Sequence, residues 1–154
     1  FPLRTTLEKG LHVGLGTDIS GGPSSSLMDN ARMTVTASRM LEEGVDADKP
    51  AAARGCPENR VDFRTAFWLA TMGGAIALDL PVGCFASGRQ FDAMLVQLPN
   101  DQMLDDGQSD GGEDDPQARA ANVDDTLLQK IIMLATPADI RQTWVAGASV
   151  HQQG

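Results

Sequence analysis

The sequence predicts an α/β fold, in which strands and helices alternate along the chain. Four patterns along the sequence indicate this class. Apolar side chains alternate over residues 11–17, as in a strand that is buried on one face, and apolar residues with helical spacing follow over residues 26–43. A second helical pattern runs over residues 62–72, whereas from Val82 onward the apolar residues recur with a period of two, which favours short strands.

Each of the two longer helices has a residue that would cap its start. Ser26, with Asp29 three residues later, resembles a capping box. Asp62 is in the same position before the second helix, and Gly73 and Gly74 are expected to break that helix, with one or two further helical turns over residues 75–80. The sequence therefore predicts helix starts at two defined residues.

Two further expectations concern the helices of the first half. A short helix is predicted over residues 2–10, with Gly10 as its stop signal. In the second long helix, Phe63, Phe67 and Trp68 lie at helical spacing. Aromatic residues in this pattern are far more often core than part of a ligand site, so we expect them to be buried.

Two segments lack periodicity. Residues 44–60 are rich in Ala, Pro, Asp and Gly, which predicts a surface insertion that is mobile at least in part. Residues 101–122 form an acidic, low-complexity linker that we expect to be disordered, because it offers few apolar side chains to bury.

The C-terminal part is predicted to contain short strands and one helix. Gly88 marks a tight turn before a strand over residues 91–98. A helix is predicted over residues 126–134, and residues 140–150 read as a strand, a turn at Ala146–Gly147 and a second strand.

The charge distribution argues against a nucleic-acid partner. The net charge is −9, but seven acidic residues and no basic ones lie within residues 101–115, which leaves 14 acids against 12 bases elsewhere. No cluster of Lys and Arg is available for phosphate contacts, and no apolar run approaches the roughly 20 residues that a membrane helix needs. Cys56 and Cys84 show no CxxC spacing, which favours a reducing, cytoplasmic location.

The candidate functional residue is Asp18, which follows the predicted strand and precedes the loop Ser20-Gly21-Gly22-Pro23. Strand alternation would place His12, Gly14, Gly16 and Asp18 on one face and Leu11, Val13 and Leu15 on the other. The two glycines would leave space beside the carboxylate for a ligand or a metal. An Asp in this context is also an ordinary turn or capping residue, and that interpretation stays open.

Three runs carry a resemblance to a known family: GLGTDISGG at 14–22, RTAFWLATMGGAIALDL at 64–80 and GCFASGRQFDAMLV at 83–96. In this order they resemble the C-terminal part of the metal-dependent amidohydrolase superfamily. Within it, residues 71–75 and Phe91-Asp92 are most similar to the enzymes that deaminate guanine. The resemblance implies that residues 1–80 are the C-terminal end of a (β/α)8 TIM barrel, and that residues 82–154 are C-terminal segments of a small β-sandwich.

The resemblance also implies a reaction, the hydrolytic deamination of guanine to xanthine and ammonia. Asp18 would contact a divalent metal, usually zinc, and accept the proton of the attacking water. A bound metal lowers the pKa of water from about 15.7 to roughly 7, and a carboxylate can then relay the proton to the departing ammonia. The residues that bind the substrate are unknown.

The remaining metal ligands are expected upstream of Phe1, as a His-x-His motif, further histidines and a catalytic glutamate. His12 and His151 belong to no ligand motif and are expected to be structural or surface residues. Because a catalytic zinc needs about three protein ligands, the chain alone is expected to be inactive. Its partner would be the missing N-terminal portion of the same enzyme, and similar enzymes are often homodimers.

Two other functions remain open. The chain could belong to another amidohydrolase that deaminates a purine, pyrimidine or triazine-like ring. It could instead be a non-catalytic scaffold module, in which Asp18 only caps a turn.

Overall fold

The structure is a computed structural model that describes residues 1–98 and 116–153, with the backbone alone for residues 116–124. The chain divides into two compact units, Phe1–Gln90 and Phe91–Gly154. The described part of the first unit is helical, and that of the second contains a three-stranded sheet and a long helix. Helix and strand are thus both present, as the sequence predicts.

The first unit consists of helical elements joined by loops. They are α1 (Leu3–Glu8), α2 (Leu27–Glu43), α3 (Ala51–Arg54), α4 (Phe63–Trp68), a π-helical turn (Leu69–Gly73) and α5 (Gly74–Ala77). Its core is an apolar cluster of Leu3, Val61 and Leu69, against which Leu7, Val13 and Leu15 pack.

Both predicted N-cap residues are confirmed, although the capping box expected at Ser26 is not formed, because the Ser26 amide donates to Ser24 Oγ and not to Asp29. The Asp29 amide donates to Ser26 Oγ at 3.4 Å at the start of α2. The Thr65 amide donates to Asp62 Oδ1 at 2.8 Å at the start of α4, and this hydrogen bond is the main cause that lowers the pKa of Asp62. Each cap satisfies an amide that the helix itself leaves without an acceptor.

The strand predicted over residues 11–17 is not formed. A strand exists only beside another strand, and the described residues of the first unit contain none. The segment lies instead against the helical turn, where the Leu15 amide donates to the Leu69 carbonyl at 3.1 Å. Val13 and Leu15 contact the core as the alternation predicts, whereas Leu11 is exposed.

The predicted helix break at Gly73 and Gly74 is also wrong, although the further helical turn expected after it is present as α5. The helical backbone runs through Gly73 and Gly74 and ends at Ala77, because both glycines adopt helical angles (φ −59°, ψ −47° and φ −62°, ψ −43°). At Gly73 the missing side chain makes room for another backbone segment, because a Cβ there would lie 2.5 Å from the Val13 carbonyl oxygen, so this glycine allows close packing and does not stop the helix.

The buried face of α4 is not the aromatic one. Phe67 and Trp68 are 43% and 38% exposed, whereas Ala66 and Leu69 are fully buried. Ala66 and Leu69 are three residues apart and share one face of the helix, and this face meets the core. The expectation of buried aromatic residues is therefore wrong for Phe67 and Trp68 in the described part of the chain, whereas Phe63 is half-buried.

The segment 44–60 contacts α2 and contains the short helix α3. The Cys56 amide donates to the Leu41 carbonyl at 2.9 Å. Arg60 forms ion pairs with Glu42 and Glu43, each at 3.1 Å. The segment lies on the surface, as the sequence predicts. It is held to α2 by the Cys56–Leu41 backbone hydrogen bond and by the ion pairs of Arg60.

The second unit contains β1 (Ala93–Val96), α6 (Pro116–Leu134), a 3-10 turn (Pro137–Asp139), β2 (Ile140–Val145) and β3 (Ala148–Gln152). The strands form an antiparallel sheet in the order β1-β2-β3. The predicted hairpin is confirmed, with both Ala146 (φ 49°) and Gly147 (φ 81°) of its turn in the left-handed region. This is the geometry of a tight two-residue hairpin turn.

The acidic linker lies mostly outside the described residues. Its last part, residues 116–122, belongs to α6, so the expected disorder is wrong there and the helix begins ten residues earlier than predicted. The sequence PQARAAN explains this, because Ala, Gln and Arg favour helix and Pro is tolerated at a helix start.

The residues before β1 hold the hairpin turn. The Ala146 amide donates to Asp92 Oδ1 at 2.7 Å, and the Gly147 amide donates to the Phe91 carbonyl at 2.8 Å. The Phe91 ring meets Trp144 edge to face, with centroids 5.7 Å apart. Phe91 and Asp92 thus have a structural role in the sheet.

Among the described helices, none combines the length and the apolar character required for a transmembrane span.

Candidate active site

Asp18 lies in a tight turn that connects the segment 11–17 to α2. Its backbone is left-handed (φ 45°), which is uncommon for a residue other than glycine, although Asp tolerates it better than most. The Asp18 carbonyl accepts hydrogen bonds from the Gly21 amide at 2.7 Å and the Gly22 amide at 2.5 Å. The turn is therefore closed by the backbone of Asp18 and not by its side chain.

The Asp18 carboxylate is exposed, and within the described residues it forms no hydrogen bond or ion pair. The cap of α2 is Ser26, eight residues later. The turn or capping role that the sequence left open for the Asp18 side chain is thus filled by other groups in the structure. A carboxylate without a structural partner remains available to a ligand.

The two glycines after Asp18 differ in what a side chain would meet there. A Cβ at Gly21 would lie 2.6 Å from Asp18 Oδ2, so the carboxylate lies directly over this glycine. A Cβ at Gly22 would collide with the Thr17 carbonyl oxygen. Gly22 needs glycine because backbone occupies the space of a side chain, whereas at Gly21 only the end of the exposed Asp18 side chain would have to move.

The turn is anchored to α2 by a network of polar side chains. The Ser24 hydroxyl donates to Asp29 Oδ2 at 2.7 Å, and Asp29 Oδ1 pairs with Arg32. The Ser26 amide donates to Ser24 Oγ at 3.1 Å, and the Asn30 side-chain amide donates to the Ser26 carbonyl at 2.9 Å. These bonds fix the loop between Asp18 and the helix.

The two glycines before Asp18 differ in their surroundings. A Cβ at Gly14 would lie 2.6 Å from the Gly74 Cα, so this position is filled by the helix and leaves no room for a ligand. Nothing lies within 4 Å of a Cβ built at Gly16. The predicted open space beside the carboxylate is therefore wrong for Gly14, whereas Gly16 does border open space.

Asp18 by itself offers part of a metal site. A carboxylate oxygen is an accepted zinc ligand, and Asp18 is exposed and forms no ion pair with any described residue, so it fits as one ligand. Among the described residues, no group of three or more His, Cys, Asp or Glu could hold a metal ion. His12 and His151 are both exposed, as expected for residues outside a ligand set.

A separate cavity of about 430 Å³ lies between α2 and the segment 44–60. Its lining includes Ser38, Met40, Cys56 and Asn59, and does not include Asp18. The Asn59 amide donates to the Cys56 and Pro57 carbonyls, and its Oδ1 is buried without a partner. This cavity is distinct from the candidate site.

Sequence reasoning missed one feature that bears on the site, the contact of residues 13–15 with the π-helical turn. The adjacent Gly73 and Gly74 were the available signal. Two glycines inside a helical pattern indicate close approach of another backbone as readily as a helix end.

Comparison with known proteins supports the resemblance seen in the motifs. Residues 1–150 match the model of the amidohydrolase family. The chain is 31% identical over 152 residues to a probable guanine deaminase of Deinococcus radiodurans, covering 97% of this chain and 29% of that protein. It is 29% identical over 147 residues to guanine deaminase of Mus musculus, covering 94% and 28%.

Solved structures agree on the fold. The crystal structure of guanine deaminase from C. acetobutylicum with guanine bound in the active site superposes with a TM-score of 0.66 at 24% identity, over 98% of this chain and 30% of that one. E. coli guanine deaminase gives a TM-score of 0.64 at 22% identity, over 99% and 30%.

The chain belongs to the amidohydrolase family. The relatives that it matches across nearly all of its length are guanine deaminases, of which it spans a little under a third.

Proposed function

We propose that this chain is the C-terminal portion of a guanine deaminase, which hydrolyses guanine to xanthine and ammonia. The observation that carries the proposal is the match of residues 1–150 to the amidohydrolase family, with guanine deaminases among the relatives that match nearly the whole chain. Asp18 is the group proposed for the chemistry because it follows the core residues Val13 and Leu15, and because its exposed carboxylate has no hydrogen bond or ion pair among the described residues. The sequence relatives supply the substrate.

The proposal includes a division of the chain. Residues 1–80 would contribute the C-terminal end of the TIM barrel and residues 82–154 the segments of a β-sandwich. The described part supplies one carboxylate and no set of three ligands, so the other ligands would come from a further portion of the enzyme. The cytoplasmic location and the homodimer stay predictions.

Asp18 would be one ligand of a divalent metal, which we propose is zinc. When bound, this metal supplies a water of low pKa and stabilises the negative charge that develops as the ring is attacked. The Asp18 carboxylate accepts a proton from the attacking water while the new C–O bond forms at the carbon that carries the amino group. It then returns the proton to the nitrogen, so that the C–N bond breaks and ammonia leaves.

The test compares two aspartates in the complete enzyme. Asp79, like Asp18, is exposed and left-handed (φ 54°), so Asp79→Asn controls for the loss of a surface charge in the same backbone conformation. We expect Asp18→Asn to lower kcat for guanine by about 10²- to 10⁴-fold, as for loss of an acid–base group, and Asp79→Asn to change kcat less than about twofold.

Two further measurements separate the open alternatives. Bound zinc is determined by elemental analysis of the enzyme and of Asp18→Ala, in which we expect a lower zinc content. Ammonia release from guanine is compared with that from adenine, cytosine and a triazine. Retention of both zinc and activity in the Asp18 variants would refute the role of Asp18, and faster release from another ring would replace guanine as the substrate.

A further inference from the structure

The segment that leads to Asp18 is attached to a π-helical turn. In an α-helix each carbonyl accepts from the amide four residues later, but over Leu69–Gly73 the helix is wound more loosely. The Leu69 carbonyl accepts the Leu15 amide from outside the helix at 3.1 Å. A π-helical turn thus provides a backbone acceptor for the segment, although no neighbouring strand is present in the described first unit.

Glycines make this attachment possible. A Cβ at Gly73 would lie 2.5 Å from the Val13 carbonyl oxygen, and a Cβ at Gly14 would lie 2.6 Å from the Gly74 Cα. Real Cβ atoms do not come so close, and the opposing atoms are backbone that cannot rotate away. The two backbones are therefore packed directly on each other.

We propose that Gly73, Gly14 and the Leu69 carbonyl are positioning groups for Asp18. The inference rests on the proposed function and adds to it the residues that fix where the carboxylate lies. Asp18 is only three positions after Leu15, about 10 Å of chain, so a shift of the packed segment reaches the carboxylate with little attenuation. A misplacement of about 1 Å can lower a rate about 100-fold.

The chain offers a matched control on the adjacent residue. A Cβ at Gly74 meets only the Leu69 carbonyl oxygen at 3.9 Å, an ordinary contact. Gly74→Ala is therefore accommodated and slightly favours the helix, whereas Gly73→Ala must push residues 13–15 away. The two substitutions add the same methyl group one residue apart.

The test is made in the complete enzyme with two readouts. Amide hydrogen exchange at Leu15 reports the bond to the Leu69 carbonyl, and kcat and KM for guanine report the position of Asp18. For Gly73→Ala we expect exchange at least about 10-fold faster and kcat about 10- to 100-fold lower, with KM changed less than about threefold. Gly74→Ala should leave all three near the values of the unmodified enzyme.

A second variant tests the same backbone contact by a substitution in the segment itself. Gly14→Ala produces the same clash from the side of the segment and is expected to give the same exchange and kcat changes. Faster exchange at Leu15 with unchanged kcat would overturn the positioning role, as would slow exchange and full activity in both variants. If neither variant folds, the contact is a general requirement for folding and the assignment is also overturned.

The outcome is independent of the test of the proposed function. If Asp18→Asn keeps its activity, the proposed function fails whatever the glycine variants do. If Asp18→Asn is inactive but Gly73→Ala and Gly74→Ala have equal kcat, only the positioning role fails.

Discussion

Ser38 links α2 to the segment that precedes α4, and its removal gives the sharpest stability prediction. Ser38 is 6% exposed, and its hydroxyl donates to the Val35 carbonyl at 2.8 Å while it accepts from the Val61 amide at 3.1 Å. Val61 is a core residue, 5% exposed. Ser38→Ala would leave the Val61 amide buried without its acceptor, which costs about 1–3 kcal/mol of the free energy of unfolding.

The matched control is Thr36→Ala on the same helix. The Thr36 hydroxyl donates to the Arg32 carbonyl at 3.1 Å, but the residue is exposed and no buried amide depends on it. Since alanine has the higher helix propensity, we expect Thr36→Ala to change the free energy of unfolding by less than about 0.5 kcal/mol.

Urea unfolding, followed by circular dichroism, measures both variants under one condition. We expect Ser38→Ala to have a lower midpoint at an unchanged m-value and to be at least about 1 kcal/mol less stable than Thr36→Ala. If the two variants agree within about 0.5 kcal/mol, the Ser38–Val61 bond does not hold α2 to the core, and the reasoning from burial is refuted.

Three other predictions concern single residues. Asp62→Ala removes the cap bond to the Thr65 amide and should cost about 1 kcal/mol. Because the pKa of Asp62 is lowered in the folded chain, this contribution is present above pH 3.8 and is lost as the pH falls through the lowered value. The free energies of unfolding of Asp62→Ala and of the unmodified chain should therefore differ at pH 6 and converge at pH 2.5. Ala146→Asn suits a left-handed turn position and should raise the hairpin's stability by about 1 kcal/mol, and an unchanged thermal midpoint would contradict this. Asp18→Gly places glycine at a left-handed position and should raise the free energy of unfolding by up to about 1 kcal/mol while activity is lost. A lower thermal midpoint in this variant would exclude backbone strain at Asp18.

The parts of the fold that the sequence predicts correctly are those with local causes. Ser26 and Asp62 cap their helices because each side chain reaches an amide three residues later, a contact that the sequence alone specifies. The hairpin turn at Ala146 and Gly147 is likewise set within a few residues. Such features need no knowledge of the distant chain.

The errors concern contacts between distant segments. The alternation of residues 11–17 correctly identified Val13 and Leu15 as core residues, but a strand also needs a neighbour, and the described first unit supplies a helical turn in its place. Gly73 and Gly14 were assigned a helix stop and a ligand space, whereas each makes room for the other segment's backbone. A glycine has no side chain whose type could show which of these uses applies.

The candidate site illustrates how structure separates two roles that one residue type can fill. From sequence, Asp18 could be a turn residue or a functional carboxylate, since Asp suits both. In the structure the turn is closed by the Asp18 carbonyl and the next helix is capped by Ser26, so the carboxylate contributes to neither. Asparagine tolerates a left-handed backbone equally well, and a turn alone would therefore accept Asp18→Asn. A large loss of activity in that variant, with the fold intact, would assign the negative charge to chemistry.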